Sequence, residues 1–385
     1  MNKIQELLDT LCPNGVEYKR LGDFATVIRG NGLQKTDFTE SGVGCIHYGQ
    51  IYTYYGAFTY ETKSFVSPEL ATKLKKVNTG DLVVAVTSEN VDDVCKCVAW
   101  LGEDEIVTGG HSAIVKHNQN PKYLSYYFQT EMFFKQKRKI AKGTKVIEVA
   151  PQKLEDIIIP VPPMEVQDEI VKVLDNFTEL TAELTAELTA ELTARNNQYD
   201  YYRKYLLTFD DCVEWKQLSE VCKIKNGKDY KSFAFGEYPV YGTGGIMTYI
   251  DRYAYDKPSV LIPRKGSIDK LYYVDVPFWN VDTIFYTDID NEIIIPKFLY
   301  YFLQTQHLEK LNTAGGVPSL TQAVLNKVLV PVPSIEEQKQ VVEILDRFDK
   351  LCNDISEGLP AEIEARQKQY AYYRDKLLSF KGVIE

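Results

Sequence analysis

Residues 160–209 of this chain recur at 331–380, without a gap and at a constant offset of 171. Nine of the 18 positions in 160–177 are identical in 331–348, including P-V-P, then E-x-Q, then V-x-x-L-D-x-F. Nine of 15 are identical between 195–209 and 366–380, where both copies read R-x-x-Q-Y-x-Y-Y-R-x-x-L-L-x-F. The doubling reaches further back. Val16-Glu17-Tyr18-Lys19-Arg20-Leu21 matches Val213-Glu214-Trp215-Lys216-Gln217-Leu218, and Pro121-Lys122-Tyr123-Leu124 matches Pro296-Lys297-Phe298-Leu299. A repeat of this length demands one architectural unit built twice. Each half runs from a V-E-aromatic-K strand through a variable globular region to a P-K-aromatic-L helix, then to P-V-P and a long helix. The globular regions differ strongly between halves, while the helices do not.

Short apolar runs bounded by turn residues mark the globular regions as α+β with short strands. Residues 82–86 follow Gly80-Asp81, and 259–262 follow Lys257-Pro258. Residues 157–161 and 328–332 are β-rich runs ended by proline. Ile170, Val173, Leu174, Phe177, Leu180, Leu184, Leu188 and Leu192 recur at spacings of three and four, which predicts a helix from about 165 to 207, roughly 65 Å long. Val341, Ile344, Leu345, Phe348, Leu351 and Ile355 repeat that stripe. Pro360 suits the first turn of a new helix, so a break is expected near Gly358. Two long helices with one apolar stripe each should pair antiparallel as a coiled coil, with a globular domain at each end. The expected divisions are 1–150, 151–209, 210–330 and 331–385.

Three T-A-E-L units stand in tandem at 181–192. Each adds ~6 Å of helix and overshoots the 3.6-residue turn by ~40°, so the stripe of Leu184, Leu188 and Leu192 winds slowly round the axis. Placed in the linker, the tandem reads as a ruler, with Thr181 opening it. One unit is commensurate with one or two base pairs at ~3.4 Å each.

Net charge is −10, yet the acid is concentrated in the helices. Residues 151–209 carry 5 Lys+Arg against 11 Asp+Glu, and 17–150 carry 17 against 15. Near-neutral globular regions leave room for local basic loops, and a phosphate footprint needs only a local patch. Enzyme signatures are missing. Pro162-Pro163-Met164 has neither the polar head nor the aromatic of an adenine methyltransferase motif. There is no Walker A sequence, and Gly30-Asn31-Gly32 lacks the third glycine of a dinucleotide loop. Cys95 and Cys97 form C-x-C rather than a zinc or redox C-x-x-C, and the four histidines lack ligand spacing. His47 and His117 read as ordinary surface or satisfied histidines. No apolar run reaches membrane length, and the first residues carry charges unlike a secretory signal, so a cytoplasmic protein is expected.

Taken together, the V-E-W-K-x-L stretch at 213–218, the P-V-P-x-x-E-x-Q helix starts at 160 and 331, the 359–374 segment L-P-A-E-I-E-A-R-Q-K-Q-Y-x-Y-Y-R and the tandem resemble the specificity subunit of type I restriction–modification systems, in the sub-group with a central T-A-E-L repeat. The resemblance spans essentially the whole chain. It implies a non-catalytic subunit with two target-recognition domains, each reading one half of a split, asymmetric double-stranded DNA site. Partners would be two copies of a methyltransferase subunit plus restriction/translocase subunits. S-adenosylmethionine, ATP and Mg2+ would serve those partners, with no cofactor or metal in this chain. A DNA methyltransferase and a coiled-coil scaffold without a DNA role are the competing readings.

Base and phosphate contacts need loops carrying basic or amide groups beside glycine. The candidates are Lys142 and Lys145, Ser88 and Asn90, and His111 in the first half. In the second they are Arg264 and Lys265, Thr243, Asp282 and Gly316. At offset 171, Gly109-Gly110-His111-Ser112 falls on Asn280-Val281-Asp282-Thr283, and Thr87-Ser88-Glu89-Asn90 occupies the place comparable to Arg264-Lys265-Gly266-Ser267. Tyr54, Tyr55 and Tyr60 read as sheet core rather than base-stacking groups. The repeated tyrosines Tyr199 and Tyr202, with Tyr370 and Tyr373, read either as packing at the helix–domain junction or as docking surface for two like partners.

Overall fold

A computed structural model describes residues 2–210, 212–312, 318–353 and 358–383. The chain divides into two compact units: Met1–Ala186 with Glu364–Glu385, and Glu187–Ile363. The boundary at Ala186/Glu187 falls inside the T-A-E-L tandem.

In each unit the V-E-aromatic-K strand pairs antiparallel with the strand ending in P-V-P. Tyr18 lies opposite Pro160 and Lys19 opposite Ile159. Trp215 lies opposite Pro331 and Lys216 opposite Val330, which is the same register. Beyond it, unit 1 has a five-stranded sheet in the order Ala25–Arg29, Ser112–His117, Leu82–Ala85, Cys97–Trp100, Phe58–Thr59. Unit 2 has Cys222–Asn226, Ile284–Ile289, Ser259–Pro263, Tyr272–Val274. The first pairing again coincides: Arg29 opposite Ala113, and Asn226 opposite Phe285. A second sheet differs, with five strands in unit 1 and three in unit 2. The divergence seen in the sequence is therefore located in the second sheet and its loops.

The P-K-aromatic-L helices, Pro121–Tyr127 and Pro296–Thr305, open on proline, which lacks the N–H that a first turn leaves unpaired anyway. The N–H of the preceding residue is captured by the glutamine of E-x-Q. Asn120 N donates to Gln167 Oε1 at 3.0 Å, and Gln167 Nε2 donates to Pro162 O at 2.8 Å. In unit 2, Ile295 N donates to Gln338 Oε1 at 2.7 Å, and Gln338 Nε2 to Pro333 O at 2.9 Å. Both glutamines are fully buried. Gln338 Nε2 also donates to Ile293 O at 3.1 Å, so Gln338→Leu would orphan the Ile295 N–H and the carbonyls of Pro333 and Ile293; it should cost about 2–3 kcal/mol and lower the Tm by roughly 5–10 °C in a thermal melt.

A second duplicated tie holds the helix to the long one. Lys122 and Tyr126 both bind Asp175, at 2.7 and 2.8 Å, and Lys297 and Tyr301 both bind Asp346, at 2.9 and 2.6 Å.

The long helix spans Met164–Leu206, within a residue of the expectation at each end. Inside unit 1 its first part pairs with the later turns, from Glu364 on, of the helix Leu359–Leu377. Phe177 meets Tyr373 at 6.1 Å between rings, and Thr178 Oγ1 bonds Tyr370 Oη at 2.8 Å. Its last part pairs with Ile335–Asn353 inside unit 2, where Phe348 meets Tyr199 at 6.0 Å and Tyr202 at 5.4 Å. Both pairings are antiparallel. The later helix begins at Leu359, directly after a bend at Gly358 and with Pro360 in its first turn, as expected; residues 354–357 lie outside the described residues.

Candidate nucleic-acid interface

In unit 1 the five candidates converge. The strand Thr87–Ser88 pairs with Ile147–Glu148, and Lys142 bridges to Glu148, closing a hairpin whose tip, 142–146, is exposed. Gly143 makes the turn at φ +116°, and a Cβ there would sit 1.9 Å from Val146 O. Lys142 and Lys145 thus project from a tight β-turn. Exposed His111 lies beside it, its Nδ1 2.9 Å from Thr87 Oγ1 and its ring 4.8 Å from that of Tyr48. Ser88 is 9% exposed, behind the hairpin. Asn90 is exposed, but its side chain is bonded to Asp93, both giving and accepting at 2.8 Å. Arg29, absent from the sequence-based candidates, joins the cluster: Nε donates to Gly110 O at 3.1 Å and Nη2 to Glu148 at 2.7 Å.

Unit 2 repeats the frame with other side chains. Lys265 bridges to Ser319, and Gly266, at φ +83°, donates to Pro318 O at 3.0 Å. Lys265 is exposed, while the Arg264 guanidinium sits 5.7 Å from the Phe285 ring. Thr243 O accepts from Tyr272 Oη at 2.9 Å, and Asp282 is exposed. Gly316 lies outside the described residues.

The sequence-based pairing of these loops needs correction by one residue. Val86 N donates to His111 O, and Arg264 N donates to Thr283 O. Val149 N donates to Val86 O, and Leu320 N to Arg264 O. His111 therefore corresponds to Thr283 rather than Asp282, and Arg264 to Val86 rather than Thr87. Surface loops accept insertions that the paired strands between them do not.

Gly30 and Gly227 end equivalent strands, one residue after Arg29 and Asn226. A Cβ on Gly30 would lie 2.2 Å from Gly109 O, and one on Gly227 2.1 Å from Val281 O. The Gly30-Asn31-Gly32 stretch is thus a close-packing device beneath the loop. The duplicated glycine was legible at the offset of 197 that aligns the two V-E-aromatic-K strands.

His47 and His117 are structural. His47 is buried and caps the helix Tyr48–Thr53, its Nδ1 accepting from Gly49 N; burial, then Lys35 and His111, lower its pKa. Burial pushes His117 down to about 4. The unfolded chain takes up that proton near 6.5, so the stabilisation is full above about pH 6.5 and is lost as pH falls to about 4. The loss should be on the order of 3 kcal/mol, and His117→Gln should flatten that part of a Tm-against-pH curve.

Along the long helix, Leu184, Leu188 and Leu192 are half-buried, while Glu183, Glu187 and Glu191 are exposed. Thr181 and Leu184 line a groove of about 270 Å3 with Phe177 and Tyr370. Tyr199 is 7% exposed, within the core of unit 2, and Arg203 lies over its ring. Tyr202 stacks on Phe348, and Tyr370 is half-buried under Arg374. Tyr373 is 38% exposed beside Phe177, whereas Tyr201 and Tyr372, at equivalent positions, are 65% and 62% exposed. Tyr54 and Tyr60, each 58% exposed, stand outside the sheet core expected for them. Among the described residues there is no cluster of three His, Cys, Asp or Glu suited to a metal ion, and no helix long and apolar enough to cross a membrane.

Two copies of one scaffold, each presenting a different basic or polar loop cluster, define a two-domain DNA-recognition chain. Residues 13–194 and 212–365 match the family described as type I restriction modification DNA specificity domain, so the chain belongs to that family of specificity subunits. A Haemophilus influenzae chain named as a putative type I restriction enzyme specificity subunit is 36% identical over 69% of this chain and 74% of its own length. The Escherichia coli EcoR124I/EcoR124II specificity subunit is 37% identical over 56% of this chain and 60% of its own. A chain from a structural study of type I R-M complex assembly superposes with a TM-score of 0.69 at 16% identity, over 94% of this chain and 97% of its own. The HsdS subunit from Thermoanaerobacter tengcongensis does so with 0.54 at 16%, over 96% and 97%. At such identities the structures speak to fold.

Proposed function

We propose that this chain reads a split, asymmetric DNA target, one half-site per unit, and directs methylation and restriction that partner subunits perform. The observation that carries this reading is the pair of identical strand registers bearing unlike loops: Lys142, Lys145, His111 and Arg29 in one, and Lys265, Gly266 and Asn226 in the other. Unlike readers on like frames suit an asymmetric site. The T-A-E-L tandem supports membership of the sub-group that sets its spacer by repeat number, with three units giving the longer spacer. Twice-repeated helix surfaces suit two copies of a methyltransferase subunit. S-adenosylmethionine, ATP and Mg2+ belong to the methyltransferase and translocase partners, and this chain performs no chemistry itself. Methylome sequencing of the host with and without the gene tests the reading. Loss of methylation at one bipartite motif is expected. An unchanged methylome would favour a scaffold role, and methyl transfer by the purified single chain would favour a methyltransferase.

A further inference from the structure

The strands Ala25–Arg29 and Cys222–Asn226 are equivalent residue by residue, share one register, and each runs into a glycine pressed onto the neighbouring loop. Their last side chains differ: Arg29 in unit 1, Asn226 in unit 2. The residues facing them from the other arm differ in step. Glu148 occupies the place that Ser319 holds, each bridged across from the Thr87 or Lys265 position. Glu148 holds the Arg29 guanidinium, whereas at the Ser319 position there is no carboxylate and Asn226 is bonded instead by Gln322.

The geometry points to Arg29 and Asn226 as equivalent specificity-determining residues, Arg29 reading a guanine and Asn226 an adenine in the major groove; this rests on the DNA-reading role proposed above. Arg29 is on the exposed face beside the Lys142 hairpin. Its Nε and one Nη2 hydrogen are committed to Gly110 O and Glu148. Among the described residues Nη1 and the second Nη2 hydrogen meet no protein group and form an end-on fork, the donor pair that matches guanine O6 and N7. Asn226 is exposed; among the described residues its Oδ1 accepts only a long 3.4 Å bond from Gln322, and Nδ2 donates to no protein group. An amide offering one acceptor and one donor matches adenine N6 and N7. Both side chains are rooted on a strand end that the glycine contact fixes, which favours base reading over a flexible phosphate contact.

The test uses the full chain co-expressed with its modification subunit, and duplexes carrying every single-base change in its own site. Arg29→Lys keeps the charge and removes the fork. It should reduce discrimination roughly ten- to hundredfold at one G·C pair of one half-site and nowhere else. Asn226→Ala should do the same at one A·T pair of the other half-site. Each arm decides alone, so loss of folding in one leaves the other. Unchanged discrimination at every position, equal weakening on all sequences, or both variants acting on one half-site would overturn the assignment. A wild-type chain that directs methylation at no bipartite site would instead overturn the role on which it rests.

Discussion

Removal of residues 189–192 is expected to shorten the recognised spacer by one base pair and leave both half-sites unchanged. Four residues are ~6 Å of helix and just over one full turn, so the helix beyond the deletion is drawn in and turned by only ~40°. One base pair of DNA accounts for ~3.4 Å and, at 10–10.5 per turn, roughly 35°. The rotation matches one base pair closely, and the translation lies between one and two; rotation dominates because a groove-reading residue cannot be turned away from its edge. The leucine stripe survives, since Leu188 then precedes Thr193 as Leu192 did. Deleting Leu192 alone turns the chain by ~100° and breaks the stripe, so methylation at both spacings should disappear. Sequencing the modified sites of both variants checks this. A spacer unchanged by the four-residue deletion would contradict the ruler.

Gly30→Ala and Gly227→Ala should each abolish recognition of the whole site. The added methyl meets backbone oxygen at 2.2 Å from Gly109 and 2.1 Å from Val281, well inside contact distance, and backbone is what must move. The displaced loop in unit 1 carries His111 and the Gly110 carbonyl that holds Arg29. In unit 2 it carries Asp282 and Thr283, whose carbonyl takes the Arg264 N–H. A destabilisation of about 2–4 kcal/mol is expected in the affected unit. Binding should fall more than a hundredfold, because both half-sites are needed for tight association. Thermal melting and binding to the native duplex measure the two effects. Wild-type binding by Gly30→Ala would show that the loop tolerates the shift.

The sequence shows most clearly what is fixed by local physics and repeated. The long helix was placed within a residue by its stripe, and the short strands at 82–86 and 259–262 by their turn signals. What it hides is long-range. E-x-Q marks a helix start, but nothing local says that Gln167 reaches across to the N–H of Asn120. Tyr199 and Tyr202 look alike in sequence to Tyr201, yet helical spacing turns the first two onto Phe348 and the third outward. The loop pairing slipped by one because insertions between strands carry no signature. Arg29 was not legible as a candidate because it is the last residue of a strand, one position short of the glycine that signals the loop.

The most direct measurement replaces residues 17–150 with those of another family member and reads the methylome. The account predicts one half-site exchanged, with the other half-site and the spacer retained. Both half-sites changing together, or neither changing, would contradict the division of one target between two readers.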